Sequence, residues 1–167
     1  GQTTAEILEV NIMFKIGDLV VYGNTGVCRV TNIATHDING VNKDQLYYFF
    51  KPLYQNCSIF TPIETNQVFM RPIISKEKAN QLIDMIPEIK VKTYNNRVIN
   101  ELEEIYKNFI KSHSCVDLIK LIMSIYEKKQ QLLLQKHKIG VVDERYLKWA
   151  EDLLFEELAA ALEIPKE

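Results

Sequence analysis

A base, a hydroxyl and a thiol stand side by side at His113-Ser114-Cys115, the part of the sequence best suited to nucleophilic chemistry. Such chemistry needs a base within hydrogen-bonding reach of the nucleophile, but consecutive residues at a helix start point in different directions. Ser114 also stands three residues before Asp117, which is the spacing of a helix N-terminal capping box. We therefore predict that Ser114 caps a helix and that Cys115 is not a nucleophile.

The other residues capable of chemistry form no recognisable site. His36, His113 and His137 are far apart, and the sequence has no phosphate-binding glycine loop with lysine, no Gly-x-Ser-x-Gly and no His-Glu-x-x-His. The acidic residues of the predicted helices fall where solvent-facing positions are expected. An odd number of scattered cysteines fits a reducing compartment rather than a disulfide framework or a cysteine zinc site. The three are Cys28, Cys57 and Cys115. We expect no enzyme activity, no cofactor and no metal.

The bulk composition is that of an ordinary globular protein. Of the 167 residues, 47% are hydrophobic and 25% charged, and the net charge is −2. A nucleic-acid site would therefore have to be a local patch rather than the whole surface. Because no apolar run approaches the roughly 18 residues of a membrane span, we expect a soluble, cytoplasmic protein without a membrane partner.

Two halves of different periodicity meet near Ser75. Residues 14–74 are rich in Val, Ile, Thr, Tyr and Phe, in short runs separated by turn residues such as Gly23-Asn24-Thr25-Gly26 and Asn39-Gly40. Strands are predicted over 19–22, 27–38, 47–50, 58–61 and 67–70, with a proline at the end of three of the runs. Five short strands with tight turns predict a small, strongly bent antiparallel barrel.

The second half has helical rather than strand periodicity. We predict one helix over 76–86, ended by Pro87, and a second across the apolar positions from 98 to 110. A third begins at the Ser114 cap and runs through Tyr126, and a fourth covers about 143–162. Trp149 has core spacing with Tyr146 and Leu153, so a packing role is predicted.

Charge is segregated within the helical half. Between Lys90 and Lys138 there are ten Lys or Arg and five Asp or Glu, whereas from Ile139 onwards there are three and eight. Two interpretations stay open. The segregation describes either two solvated faces of opposite sign, or a basic surface for phosphates with an acidic helix turned away from DNA.

The segments Lys15-Ile16-Gly17-Asp18-Leu19-Val20-Val21-Tyr22 and Gly26-Val27-Cys28-Arg29-Val30 resemble the opening of the CarD family, whose small N-terminal domain also occurs in the transcription-repair coupling factor. The resemblance continues through Ile59-Phe60-Thr61-Pro62, Thr93-Tyr94-Asn95-Asn96-Arg97 and Arg145-Tyr146-Leu147, and covers about 150 residues from Phe14 onwards.

This resemblance implies an α+β protein in which a Tudor-like or SH3-like small β-barrel is followed by an all-helical C-terminal domain. It implies that residues 13–74 bind the β subunit of bacterial RNA polymerase. Residues 75–167 would contact promoter DNA at the upstream edge of the bubble and stabilise the open complex. The protein would then be a cytoplasmic transcription regulator, associated with the nucleoid through polymerase. Residues 1–12 are interpreted as a leader or cloning remnant.

Carried over position by position, the resemblance implies two sets of contact residues. The polymerase-binding set is His36, Ile59, Phe60, Thr61 and Pro62, and the DNA-binding set is Lys90, Lys92, Tyr94, Asn95, Asn96 and Arg97. Asn96, Ile99 and Glu144 stand where relatives are often basic. Further phosphate contacts are expected from Lys107, Lys111, Lys128 and Lys129.

Two alternatives remain beside this interpretation. Tyr94 stands where the family commonly has a tryptophan wedge, but it could instead be an aromatic packed between the two domains. Because the basic character of the DNA-binding set is reduced, the helical half could also engage another protein. The chain would then be a polymerase-bound adaptor without significant DNA contact.

Overall fold

The structure, a computed structural model, describes residues 14–35, 45–64 and 67–166. Within those ranges the chain forms five strands followed by four α-helices, and it divides into two compact units between Ile73 and Ile74. This arrangement confirms the predicted α+β class, a small β domain followed by a helical one. The predicted leader, His36 and the Asn39-Gly40 turn lie outside the described residues.

The β unit is one curved antiparallel sheet. Its strands are β1 (Leu19–Tyr22), β2 (Gly26–Thr35), β3 (Leu46–Pro52), β4 (Ile59–Pro62) and β5 (Met70–Pro72). They lie in the order β4-β3-β2-β1-β5, and all four neighbouring pairs are antiparallel. The register shifts between Val30 and Asn32 on β2. Such a bulge bends its strand and increases the local twist.

The fifth strand lies later in the sequence than we predicted. We expected residues 67–70, whereas β5 comprises Met70–Pro72. The position depends on β1, which ends at Tyr22 because Gly23 and Gly26 take positive φ angles in the following turn. Tyr22 pairs with Met70, so the residues before Met70 have no β1 residue opposite them. Prolines end β3, β4 and β5, as predicted.

Alternation along β3 separates the four consecutive aromatic residues. Tyr48 and Phe50 join Phe14, Cys28 and Val30 in the buried core of the β unit. Because successive side chains point to opposite faces, Tyr47 and Phe49 lie on the other face of the sheet. That face carries the aromatic surface described below.

The helical unit consists of α1 (Lys76–Met85), α2 (Ile99–Lys111), α3 (Cys115–Leu134) and α4 (Val141–Leu162), with a 3-10 turn at Ile86–Glu88. The α-helical pattern ends before Pro87, as predicted. The Ser114 hydroxyl accepts a hydrogen bond from the Asp117 N–H at 3.4 Å, which confirms Ser114 as the cap of α3.

A single apolar core holds these helices together. Tyr106, Leu121, Ile125 and Ala150 are fully buried in it, and Trp149 packs against it while partly buried, which confirms the predicted packing role. None of the helices among the described residues combines the length and hydropathy that crossing a membrane requires.

Candidate functional site

The six residues of the predicted DNA-binding set lie on one connecting segment, residues 89–98, between the 3-10 turn and α2. This segment has no helix or strand of its own, and Ile89 and Tyr94 pack against the core of the helical unit. The buried Ser124 hydroxyl, on α3, donates a 2.6 Å hydrogen bond to the Lys92 carbonyl oxygen. The middle of the connecting segment is therefore fastened to the centre of α3.

Tyr94, on the connecting segment, packs against α2 and is half-buried. Its ring meets the Tyr106 and Phe109 rings edge-on, with centroid separations of 6.5 and 6.1 Å. The Lys92 ammonium lies 5.2 Å from the centroid of the Tyr94 ring. The ring is thus supported by aromatic neighbours of its own unit and has a cation over it, a favourable electrostatic arrangement.

The other members of the set are exposed: Lys90, Lys92, Asn95, Asn96 and Arg97. The Asn96 side chain donates to the Glu101 carboxylate at 3.4 Å, and the Asn95 side chain donates to the Thr93 hydroxyl at 3.2 Å. The segment therefore presents three cations beside one aromatic ring, with one carboxylate close to Asn96.

One of the additional lysines expected to contact phosphates cannot do so in this structure. Lys128 is buried, and its ammonium lies 3.0 Å from the Asp143 carboxylate. The expectation for Lys128 was therefore wrong, because a partner 15 residues further along the chain takes up its charge. Lys111 lies 3.8 Å from Glu104 but stays exposed, and Lys107 and Lys129 are exposed as well.

Asp143 is the centre of a buried polar network that joins three helices. Its carboxylate accepts hydrogen bonds from the Tyr106 hydroxyl at 2.5 Å, from the Lys128 ammonium at 3.0 Å and from the Gly140 N–H at 3.1 Å. Burial raises the pKa of Tyr106, and the hydrogen bond to the negatively charged Asp143 raises it further. Tyr106 is therefore a neutral donor that anchors α2 to the start of α4.

The expectation that helical acids face solvent was wrong for three residues, Asp143, Glu156 and Glu157. Glu157 accepts hydrogen bonds from the Ile74 N–H at 2.9 Å and from the Cys115 thiol at 3.2 Å. Cys115 thus donates within a buried network. One sequence signal could have revealed Asp143, because Gly140-x-x-Asp143 has the spacing in which an acid bonds back to the start of its own helix.

The polymerase-binding set lies on β4, apart from His36, which is outside the described residues. Phe60 is 40% exposed, and its ring centroid lies 5.6 Å from that of Tyr47 and 6.3 Å from that of Phe49. Phe60 and half-buried Phe49 form an aromatic surface, and Tyr47, which is 5% exposed, is buried beside them. This surface lies at the edge of the sheet, because β4 pairs only with β3 in the described sheet. Alternation places Thr61 on the inner face, where it is buried, and half-buried Ile59 packs against the core.

These features describe two modules. A curved β domain offers an aromatic edge strand, and a helical domain offers a fastened segment with basic and aromatic side chains. Comparison with protein families identifies the first module: residues 14–74 match the CarD-like/TRCF RID domain. The chain therefore carries a CarD-like/TRCF RID domain, an interaction domain associated with transcription, as the sequence resemblance indicated. Comparison with curated proteins gave no match.

Proposed function

We propose that this protein is a bacterial transcription regulator that binds the RNA polymerase β subunit through its RID domain and stabilises promoter open complexes through its helical unit. The observation that carries the proposal is the match of residues 14–74 to the RID domain. In this role the protein acts by binding rather than catalysis, in the cytoplasm and near the nucleoid.

The β4 surface supports the polymerase contact. An edge strand can be extended by a strand of another protein, which gives main-chain hydrogen bonds, while alternate side chains give specificity. Phe60 stands exposed on this strand, beside half-buried Phe49 and against the buried Tyr47 ring, so a partner strand along β4 would meet the Phe60 ring. Aromatic residues are common anchors of protein interfaces.

The connecting segment supports the DNA contact. Lys90, Lys92 and Arg97 are exposed and suited to phosphates, and Tyr94 is supported from behind by Tyr106 and Phe109. An aromatic ring pressed against a partly unstacked base step binds melted DNA better than intact duplex. Because a ligand shifts an equilibrium by its differential affinity for two states, such a contact favours the open complex without reading sequence.

The test combines binding with function. Purified bacterial polymerase should retain the full-length protein in a pull-down, and the half-life of open complexes challenged with competitor should increase when the protein is added. A protein that polymerase does not retain, with unchanged open-complex lifetimes, would contradict the proposal.

A second candidate is the polymerase-bound adaptor, in which the helical unit engages another protein. It is favoured by the exposure of Val98 and Ile99, 54% and 61%, at the start of α2. Ile99→Lys separates the two. If DNA is the partner, an added cation beside Arg97 should lengthen open-complex lifetime. If a protein covers this apolar pair, the substitution should weaken binding to that protein and should not lengthen open-complex lifetime.

A further inference from the structure

The turn between α3 and α4 exposes large aliphatic side chains. We call residues 133–141 the tip. Leu134 is 88% exposed and Val141 78%, and Leu133 is exposed as well. Isolated exposed aliphatic residues are common on proteins, but here they are grouped within nine residues. Their grouping in one turn makes the tip a candidate contact surface.

The tip is also basic. Lys136, His137 and Lys138 are all exposed, and the sequence from 129 to 142 contains no acidic residue. Among the described residues, neither Lys136 nor Lys138 takes part in an ion pair. Asp143, the next acid along the chain, is buried and bound to Lys128. The occupant of the tip should therefore be negatively charged, which excludes a second copy of the same tip.

The backbone of the tip is well defined and holds a lysine where glycine is favoured. The His137 N–H donates to the Leu132 carbonyl at 2.8 Å, and the Lys136 N–H donates to that of Leu133 at 2.9 Å. This double hydrogen bond is a Schellman motif, in which the residue after the cap is usually glycine. Lys136 occupies that position with φ +62°. The chain thus has a cation at a position where glycine would be less strained.

We propose that the tip is a second contact to duplex DNA, in which Leu134 and Val141 press into the minor groove and Lys136 and Lys138 hold the flanking phosphates. Aliphatic wedges flanked by cations are used in this way by minor-groove proteins. Ten residues of α3 separate Leu134 from Ser124, which fastens the connecting segment. That is about 15 Å along the helix axis, less than one turn of DNA at about 34 Å. The inference rests on the proposed function, because it assigns both surfaces to one duplex.

Two matched substitutions test whether the charge of Lys136 contributes to DNA binding. Glu163 ends α4 with the same backbone pattern, φ +56°, with hydrogen bonds from Glu163 and Ile164 back into the helix. Lys136→Gly and Glu163→Gly should each raise the melting temperature. Each places glycine at a position with a left-handed backbone conformation, which strains a non-glycine residue. Binding of the full-length protein to a labelled 20-base-pair duplex is then followed by fluorescence anisotropy across a salt series.

Only Lys136→Gly should weaken DNA binding, by about three- to tenfold at low salt, and it should reduce the salt slope by about 1. Glu163→Gly should leave the affinity equal or slightly higher. Wild-type affinity and slope in Lys136→Gly would overturn the proposal, as would an equal loss in both variants.

A substitution of Leu134 tests whether the aliphatic side chains of the tip contact the minor groove. Leu134→Ser should lower the affinity severalfold without changing the salt slope, whereas the control Ile83→Ser, on exposed Ile83 of α1, should not. Anionic phosphatidylglycerol vesicles and a polyglutamate peptide serve as competing partners. If Leu134→Ser abolishes binding to either one and leaves the duplex affinity intact, the proposal of a DNA contact is wrong.

A third substitution separates this inference from the proposed function. If Lys92→Ala weakens duplex binding but the tip variants do not, the tip proposal fails and the connecting segment stands. If the tip variants weaken duplex binding, but the wild-type protein neither binds polymerase nor prolongs open complexes, the tip proposal stands and the proposed function fails.

Discussion

Tyr94 combines a structural contact with its proposed DNA contact. It stands edge-on to Tyr106 and Phe109, and the Lys92 ammonium lies over its ring. We predict that Tyr94→Ala lowers the melting temperature modestly but shortens open-complex lifetime five- to a hundredfold. The reason is that one stacking contact is worth roughly 1–3 kcal/mol. Tyr94→Trp should lengthen the lifetime because it enlarges the stacking surface.

Measuring thermal unfolding together with open-complex lifetime distinguishes a packing role of Tyr94 from a role in contacting the DNA base step. Tyr94→Phe is the matched control, since it keeps the ring and removes only the hydroxyl. A Tyr94→Ala protein that unfolds earlier, yet sustains open complexes normally once bound, would remove the wedge from the mechanism.

Phe60 is the most exposed ring of the aromatic surface on β4. We predict that Phe60→Asp weakens polymerase binding at least tenfold, because a charge would be desolvated at an apolar contact. Titration of full-length protein against purified polymerase gives the affinity, and circular dichroism checks that the sheet is intact. Phe69 has similar exposure, 42%, and precedes β5 at the other edge. An equal loss in Phe69→Asp, or none in Phe60→Asp, would exclude Phe60 from the contact.

At the scale of the elements, the buried network of Tyr106, Lys128 and Asp143 joins α2, α3 and α4. Folding raises the pKa of Tyr106, mainly through burial and then through Asp143. A raised pKa means that the folded state holds the proton more tightly. The resulting stability is fully present below the unfolded pKa of about 10 and is lost as pH rises above it.

We therefore predict that the free energy of unfolding falls above about pH 10, with a slope of up to about 1.4 kcal/mol per pH unit from this one group. Tyr106→Phe should lose roughly 1.5–3 kcal/mol at neutral pH, because the missing hydrogen bond is one to a charged carboxylate, and its alkaline slope should be shallower. Urea titrations of full-length protein from pH 8 to 11 measure both. Tyr126→Phe, at an exposed tyrosine of α3, should keep the wild-type slope, and a wild-type slope in Tyr106→Phe would contradict the argument.

At the scale of the whole molecule, a net charge of −2 opposes indiscriminate DNA binding. The cations are concentrated between Lys90 and Lys138, while the C-terminal part is acidic. We predict weak binding to linear duplex without polymerase, with a dissociation constant in the range of about 10⁻⁴ to 10⁻⁶ M at physiological salt. The affinity should fall as salt rises through counterion release. Nanomolar, sequence-specific binding by the isolated protein, measured by anisotropy, would contradict this prediction.

Much of the fold could be predicted from the sequence because its determinants are local. The Gly23-to-Gly26 turn and the terminal prolines limit the strands, while Pro87 and the Ser114 cap limit the helices. Each of these acts within a few residues through backbone geometry or a short hydrogen bond, so it can be recognised without knowing what packs nearby. The RID resemblance likewise depended on a contiguous run of residues that the family comparison identified again.

The tertiary structure decided what depends on distant partners. The position of β5 follows from its register on β1, about 50 residues earlier in the chain. Lys128 and Asp143 have the chemistry of surface residues, and only the packing of α3 against the start of α4 buries them as a pair. Tyr94 acquires its support from Tyr106 and Phe109, and its segment is fastened by Ser124. Periodicity reports which face of one element is apolar, but burial and charge pairing arise between elements, and so only the folded chain determined them.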